Sequence, residues 1–271
     1  ARPHLGASDH PTKEKEMAES GVGGIRIFDD FIGFELPEGN TSAPATVPFF
    51  TPGGLRVVGQ GLAESDSGVN GLDADGLNGV VQLQTTDEAD HSVGFTTSKC
   101  FDMALNGGIM MEARVRFDDL DTKRAYFGLT DVVTDGVGII KGEQMYGTGT
   151  TLTLTASDLC GFFIGSELTD DEDWHGVYNG GTTTGATTST DVDLDADAVA
   201  GEFQILKLTV GNDGTARWYV NGVLKQTVTG AVSTTTDLAV LLMVEAQDGT
   251  AHGVVMDVDY VLIESNRDWT V

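Results

Sequence analysis

The chain has 271 residues, enough for a sizeable core, and large β-sandwiches of this length often form one domain. Its 42 Asp and Glu against 15 Lys and Arg give a formal net charge of −27. That balance weighs against nucleic acid and against anionic membrane surfaces as direct partners, because both need clustered Lys and Arg.

Residues 1 to 24 are polar and charged and read as an N-terminal arm, extended or disordered alone, or laid against a partner. Lys13 and Lys15 of this arm are candidate partner-binding residues. The folded domain is expected over 25–271. IRIFDDFIGF gives its first strand, ended by a loop rich in Pro. LRVVGQGLAE, GVVQLQTT and SVGFTT follow as short apolar runs. In GIMMEARVRF, Met111, Ala113, Val115 and Phe117 share one face, and Glu112, Arg114 and Arg116 share the other. That is the alternation of a strand with one wet face. AYFGLTD is next, then a variable-looking loop, then LCGFFIGSE. WHGVYN reads as a strand set between acidic, Thr/Gly-rich loops. ILKLTV, ARWYV and GVLKQTV are three consecutive antiparallel strands. Asn212-Asp213-Gly214 and Asn221-Gly222 supply their turns, the second being the strongest short hairpin signal. LAVLLMVEAQ and GVVMDVDYVLIESN close the chain. No window after the arm shows clean helical periodicity, so about a dozen strands or more are expected, in two packed antiparallel sheets. Cys100 and Cys160 both sit in apolar runs and read as free buried thiols, although sequence leaves a single bridge open.

The order of these signals resembles the concanavalin A-like jelly roll of laminin G domains, lectins and glucanases. The likeness is carried by FDDF, GIMMEARVRF with AYFGLTD, LCGFFIG, the three-strand unit and the terminal VVMDVDYVLIES. It spans most of 25–265 and implies an all-β, two-sheet antiparallel jelly-roll sandwich. Domains of this look are also similar to virion structural proteins of tailed bacteriophages, head decoration proteins among them. The resemblance therefore implies a non-enzymatic protein of the capsid surface that cements or decorates a phage head. Its partners would be the major capsid protein or other virion proteins. Self-association into a closed homo-oligomer, a trimer among the options, would add avidity.

Glucanases of this fold carry Glu-x-Asp-x-x-Glu or a close variant on one strand, and no such run exists here. The nearest is Asp257-Val-Asp259 with Glu264, on the terminal strand, so a diverged glycosidase ranks last and no catalytic residue is named. Glu112, standing among Arg114 and Arg116, reads as one side of a cross-strand ion pair. There is no Gly-x-Ser-x-Gly elbow and the His residues are scattered. Zinc is disfavoured by the lack of paired Cys or His, and no cofactor is assigned. Calcium stays open. Asp73, Asp75 and Asn78 place oxygen ligands around a Gly turn, but position twelve of that loop is Gln84, not Glu. Asp191, Asp193, Asp195 and Asp197 alternate, so a strand there would stack carboxylates on one face. A basic partner, a cation or water would have to screen them, and Asp191, Asp193 and Asp195 are candidate partner-binding residues. A carbohydrate-binding, lectin-like module is the alternative function. Trp174, His175, Tyr178 and Asn179 would form its aromatic and hydrogen-bonding platform for a glycan.

Overall fold

The computed structural model describes residues 23–31, 50–62, 68–71, 79–86, 88–134, 138–247 and 253–267. Its strands are β1 (Gly24–Asp29), β2 (Arg56–Gln60), β3 (Gly68–Gly71), β4 (Val81–Gln84), β5 (Ser92–Thr96), β6 (Gly108–Phe117) and β7 (Lys123–Thr130). They continue with β8 (Met145–Thr148), β9 (Thr151–Leu154), β10 (Leu159–Gly165), β11 (Asp173–Asn179) and β12 (Asp193–Asp197). The last five are β13 (Gln204–Gly211), β14 (Ala216–Val220), β15 (Val223–Val228), β16 (Ala239–Ala246) and β17 (Val255–Asn266). Among the described residues, helix is limited to one capped turn, α1 (Met103–Asn106), and a π-helical turn, Ile140–Gln144.

The strands form two large antiparallel sheets. Sheet A has eight strands, in the order β15-β14-β13-β6-β17-β4-β3, with β1 also paired to β17. Sheet B has seven, in the order β12-β11-β10-β7-β16-β5-β2. β8 and β9 make a separate hairpin. The all-β sandwich expected from the sequence is therefore the architecture found.

The core lies between the sheets because the strands of sheet A turn one face inward. Met111, Ala113, Val115 and Phe117 of β6 are buried, facing Leu206, Leu208 and Val210 of β13 side by side in the same sheet. The wet face of β6 carries ion pairs instead: Arg114 with Asp259 and Arg116 with Asp257. Glu112 accepts a hydrogen bond from Tyr260 Oη at 2.8 Å and lies 4.0 Å from Lys207 Nζ. The nearest thing to a carboxylate motif, Asp257 and Asp259, is thus neutralised by arginine. The β13–β14–β15 unit forms as its turns dictate. Asn221 and Gly222 take φ of 50° and 79°, a left-handed pair that matches strand twist. Trp218 faces the core and donates from Nε1 to the Gly161 carbonyl at 2.8 Å.

Sheet B differs, because every residue of β7, β10 and β16 is buried. One face packs on the core. The other face is covered by a second apolar cluster built from the chain's own 139–192 region. Cys160 is buried and Cys100 exposed, and both are free, which corrects the expectation that both thiols are buried.

Candidate functional site

The outer face of sheet B, turned away from the core, carries the second apolar cluster. Its centre is a flat floor. Gly128 and Gly161 face each other across β7 and β10, and the Tyr126 ring lies across the pair. A Cβ added to Gly128 would come within 2.4 Å of the Gly161 Cα and 2.8 Å of Tyr126 Oη, so both positions require glycine. Tyr126 Oη donates to the Leu129 carbonyl at 2.6 Å, which satisfies a phenol held wholly out of water. Tyr126, Phe163, Val177, Leu241 and Met243 make this floor apolar. Ile139, Ile140, Met145, Leu152 and Ala156, from the π-helical turn and the β8–β9 hairpin, cover it.

Polar anchors hold the cover. Glu245, wholly buried at the end of β16, accepts from the backbone N–H of Ile140 at 2.8 Å and of Lys141 at 2.9 Å. It thereby caps the π-helical turn, whose first N–H groups would otherwise be unmet. Gln144 accepts from the Thr130 hydroxyl, and its backbone carbonyl accepts from Thr155 N at 2.9 Å and Ala156 N at 3.0 Å.

Beside Glu245 the buried Arg124 gathers three carboxylates. Its Nη2 reaches Glu167 at 2.7 Å, and its Nη1 lies 3.3 Å from Glu245 and 3.4 Å from Asp90. Lys141 Nζ is 3.7 Å from the same Asp90 oxygen. Burial pushes the Glu245 carboxyl up to about 7, opposed by the Lys141 N–H, the Arg124 guanidinium and the Ile140 N–H. Glu245 is closed to solvent and its oxygens are engaged, so its chemistry is structural. Asp90 is the accessible member of the group. With Gln60, Lys141 and Glu143 it lines an open pocket of about 430 Å³, whose donors and acceptors suit a hydroxyl-rich ligand. Sequence reading missed this group. The signal was present, since Lys123-Arg124 opens an apolar strand and Glu245 ends another; charges in buried strands call for partners.

The residues read as a glycan platform fall elsewhere. Trp174 is buried in the core, edge-on to Phe162 at 6.2 Å, with Nε1 donating to Gln204 at 2.8 Å. His175, next along β11, points to the opposite face and is fully buried there. Tyr178 is half-buried against Trp218, and Asn179 Nδ2 donates to the Ala156 carbonyl at 2.9 Å. The four are therefore strand residues divided between two covered faces, not an exposed platform. Asp193 and Asp195 lie on β12 with Leu194 and Ala196 turned to the core, while Asp191 precedes the strand. Asp191 and Asp195 are exposed and Asp193 half-buried. Asp73, Asp75, Asn78, Lys13 and Lys15 lie outside the described residues. Among the described residues, no group of three or more His, Cys, Asp or Glu is arranged to hold a metal ion.

No family model matches the chain, and no curated protein does. Solved structures do share the fold. A protein of unknown function from Shewanella oneidensis MR-1 aligns over 100% of this chain and 99% of its own, with a TM-score of 0.52 at 10% identity. A Bacillus licheniformis β-glucanase aligns over 68% of this chain and 78% of its own (TM-score 0.42, 15% identity). The alginate lyase Aly36B aligns over 69% and 80% (TM-score 0.43, 8% identity). Enzymes thus stand among the neighbours, and this corrects the expectation that the chain is not an enzyme: the fold gives no ground for excluding catalysis. The chain is an all-β sandwich of two large antiparallel sheets, a fold it shares along its length with the Shewanella protein.

Proposed function

We propose that the chain is an assembly protein of a particle surface, a decoration protein on the head of a tailed phage, and that it binds neighbours through its sandwich edges. One observation carries this reading: among the described residues, the apolar floor on the outer face of sheet B is covered by side chains of the chain's own 139–156 segment. Binding surface then has to come from edges and loops. β15, the edge of sheet A, exposes Val223 (58%) and Leu224 (49%). β12, the edge of sheet B, presents Asp195 and Asp197. An apolar strip beside an acidic one suits a partner with apolar and basic groups in the same order, such as a capsid subunit. Mass spectrometry of purified phage particles tests the proposal. The expected result is this chain at a copy number tied to the capsomers; recovery only as free monomer would overturn it.

A second reading, a carbohydrate-binding module, draws on the pocket of about 430 Å³ at Gln60, Asp90, Lys141 and Glu143. A glycan array probed with the whole chain tests it. Binding that is lost in Asp90→Ala supports the module, and an array without signal removes it.

A further inference from the structure

The edges of the sandwich serve the reading above, and the outer face of sheet A is a separate surface. Along most of β6, β13 and β14, buried residues alternate with residues that reach solvent. Among the described residues this face therefore lacks the second layer that buries both sides of β7, β10 and β16. The register fixes what it presents. One row crosses six strands: Leu224 on β15, Tyr219 on β14, Lys207 on β13, Glu112 on β6, Leu262 on β17 and Phe28 on β1. A second row runs from β14 to β1 through Arg217, Thr209, Met110, Glu264 and Arg26.

The charge of this face is unlike that of the chain as a whole. Its strands bring out five cations, Arg26, Arg114, Arg116, Lys207 and Arg217, beside four carboxylates, Glu112, Asp257, Asp259 and Glu264. The full sequence has 15 cations against 42 carboxylates. Arg114 and Arg116 each pair with an aspartate of β17, and their guanidinium carbons lie 4.2 and 4.5 Å from the centre of the Phe203 ring. Phe28 is 47% exposed, and Tyr219, Tyr260 and Leu262 are half-buried. Aromatic, Met and Arg side chains with few carboxylates are the composition of a protein–protein interface.

A chain with a charge of −27 repels its own copies over most of its surface, and repulsion is least at a near-neutral face. We propose that a second copy of the chain docks on this face, sheet to sheet, about a twofold axis that runs along the strands between β13 and β6. Three strands lie on each side of that axis, β15, β14 and β13 on one and β6, β17 and β1 on the other, so the register sets the contacts. Lys207 meets Glu112 of the partner subunit, Tyr219 meets Leu262 of the partner subunit, and Leu224 meets Phe28 of the partner subunit. In the second row Arg217 meets Glu264 of the partner subunit. Cation faces carboxylate and apolar faces apolar in both rows, the self-complementarity that a twofold interface requires.

The area is sufficient. Six strands about 4.8 Å apart, taken over about 30 Å of strand length, give roughly 900 Å². A stable interface draws about 800 Å² from each partner. The β12 edge offers no comparable route to self-association, because pairing it with its own copy would bring Asp193, Asp195 and Asp197 against the same carboxylates. Dimerisation through sheet A needs no particle, so it stands or falls apart from the function proposed above.

Sedimentation velocity of the whole chain at about 1 μM and about 100 μM tests the interface. The wild type is expected to be a dimer at the higher concentration. Within one chain Arg217 and Glu264 stand three strands apart, about 14 Å, so they meet only across the axis. Arg217→Glu sets carboxylate against carboxylate at both symmetric contacts, and Glu264→Arg sets guanidinium against guanidinium. Each variant alone is expected to dissociate at least about tenfold more readily than the wild type. An equimolar mixture of the two restores opposite charges at both contacts and is expected to dimerise again. A wild type that stays monomeric, a dimer that neither variant weakens, or a mixture that does not associate overturns the proposal. Should a variant fail to fold, hydroxyl-radical footprinting of the wild type at the two concentrations decides. Loss of reactivity at Tyr219 and Phe28 on dimerisation supports the interface, and unchanged reactivity overturns it.

Discussion

Arg124 is a guanidinium taken wholly out of water, and its standing depends on the carboxylates around it. Removing one side of such a network leaves a buried charge uncompensated, which costs far more than the pair contributes. Arg124→Ala strands Glu245, Glu167 and Asp90 together, and a loss of about 3–5 kcal/mol in urea denaturation is expected. Ile140 and Lys141 donate to different oxygens of Glu245, so Glu245→Gln keeps an acceptor for only one of them and leaves the other N–H unmet, but it strands no charge, so its cost should be smaller, about 1–3 kcal/mol. Equal losses in the two variants would refute the ranking. The carboxyl of Glu245 is also raised, from 4.5 to about 7, mainly by burial. Its contribution is therefore complete below about 4.5 and lost as pH climbs through about 7. The stability–pH curve of Glu245→Gln should be flatter than the wild type across that window.

At the scale of elements, β11 shows what strand pattern reveals and what it hides. Its β character was legible in WHGVYN, but its burial was not. Trp174 packs beside Phe117 and Phe162, and His175 is buried on the opposite face, where Val192 and Leu168 belong to the covering cluster. Those partners come from several other parts of the chain, so no local window announces them. Trp174→Ala should accordingly act on stability, at about 3–5 kcal/mol for a buried aromatic lost to a cavity. A thermal melt left within a degree or so of the wild type would contradict the core placement. The β13–β14–β15 unit was legible in full because its turns are fixed by local chemistry, Asn221-Gly222 above all. The cover over sheet B lay at the other extreme. The turn Ile140–Gln144 is capped by Glu245, and the Ile140 contact spans 105 positions, so the 139–158 segment looked like a variable loop. The candidate site at Asp90, Arg124 and Lys141 shared that fate, since β16 and the cover must meet before it exists.

At the scale of the whole molecule, the charge of −27 acts on folding as well as on partners. A compact chain holds its carboxylates closer together than an unfolded one, so self-repulsion opposes folding and also opposes the approach of a second copy. Local ion pairs act in the other direction. Arg114–Asp259 and Arg116–Asp257 are only partly shielded, and salt weakens pairs of that kind. The two effects have opposite signs in salt, and size decides between them. Exposed pairs are each worth about 0–1 kcal/mol, whereas the net charge acts on every carboxylate within a Debye length, about 30 Å at 0.01 M and about 8 Å at 0.15 M. Repulsion should win. Raising ionic strength between those two limits is expected to lift Tm by a few degrees, about 1 kcal/mol or so for a domain of this size. Calorimetry in sodium chloride at fixed pH measures it. A Tm that falls with salt would mean that the arginine pairs, not the acidic surface, set the electrostatic balance of the sandwich.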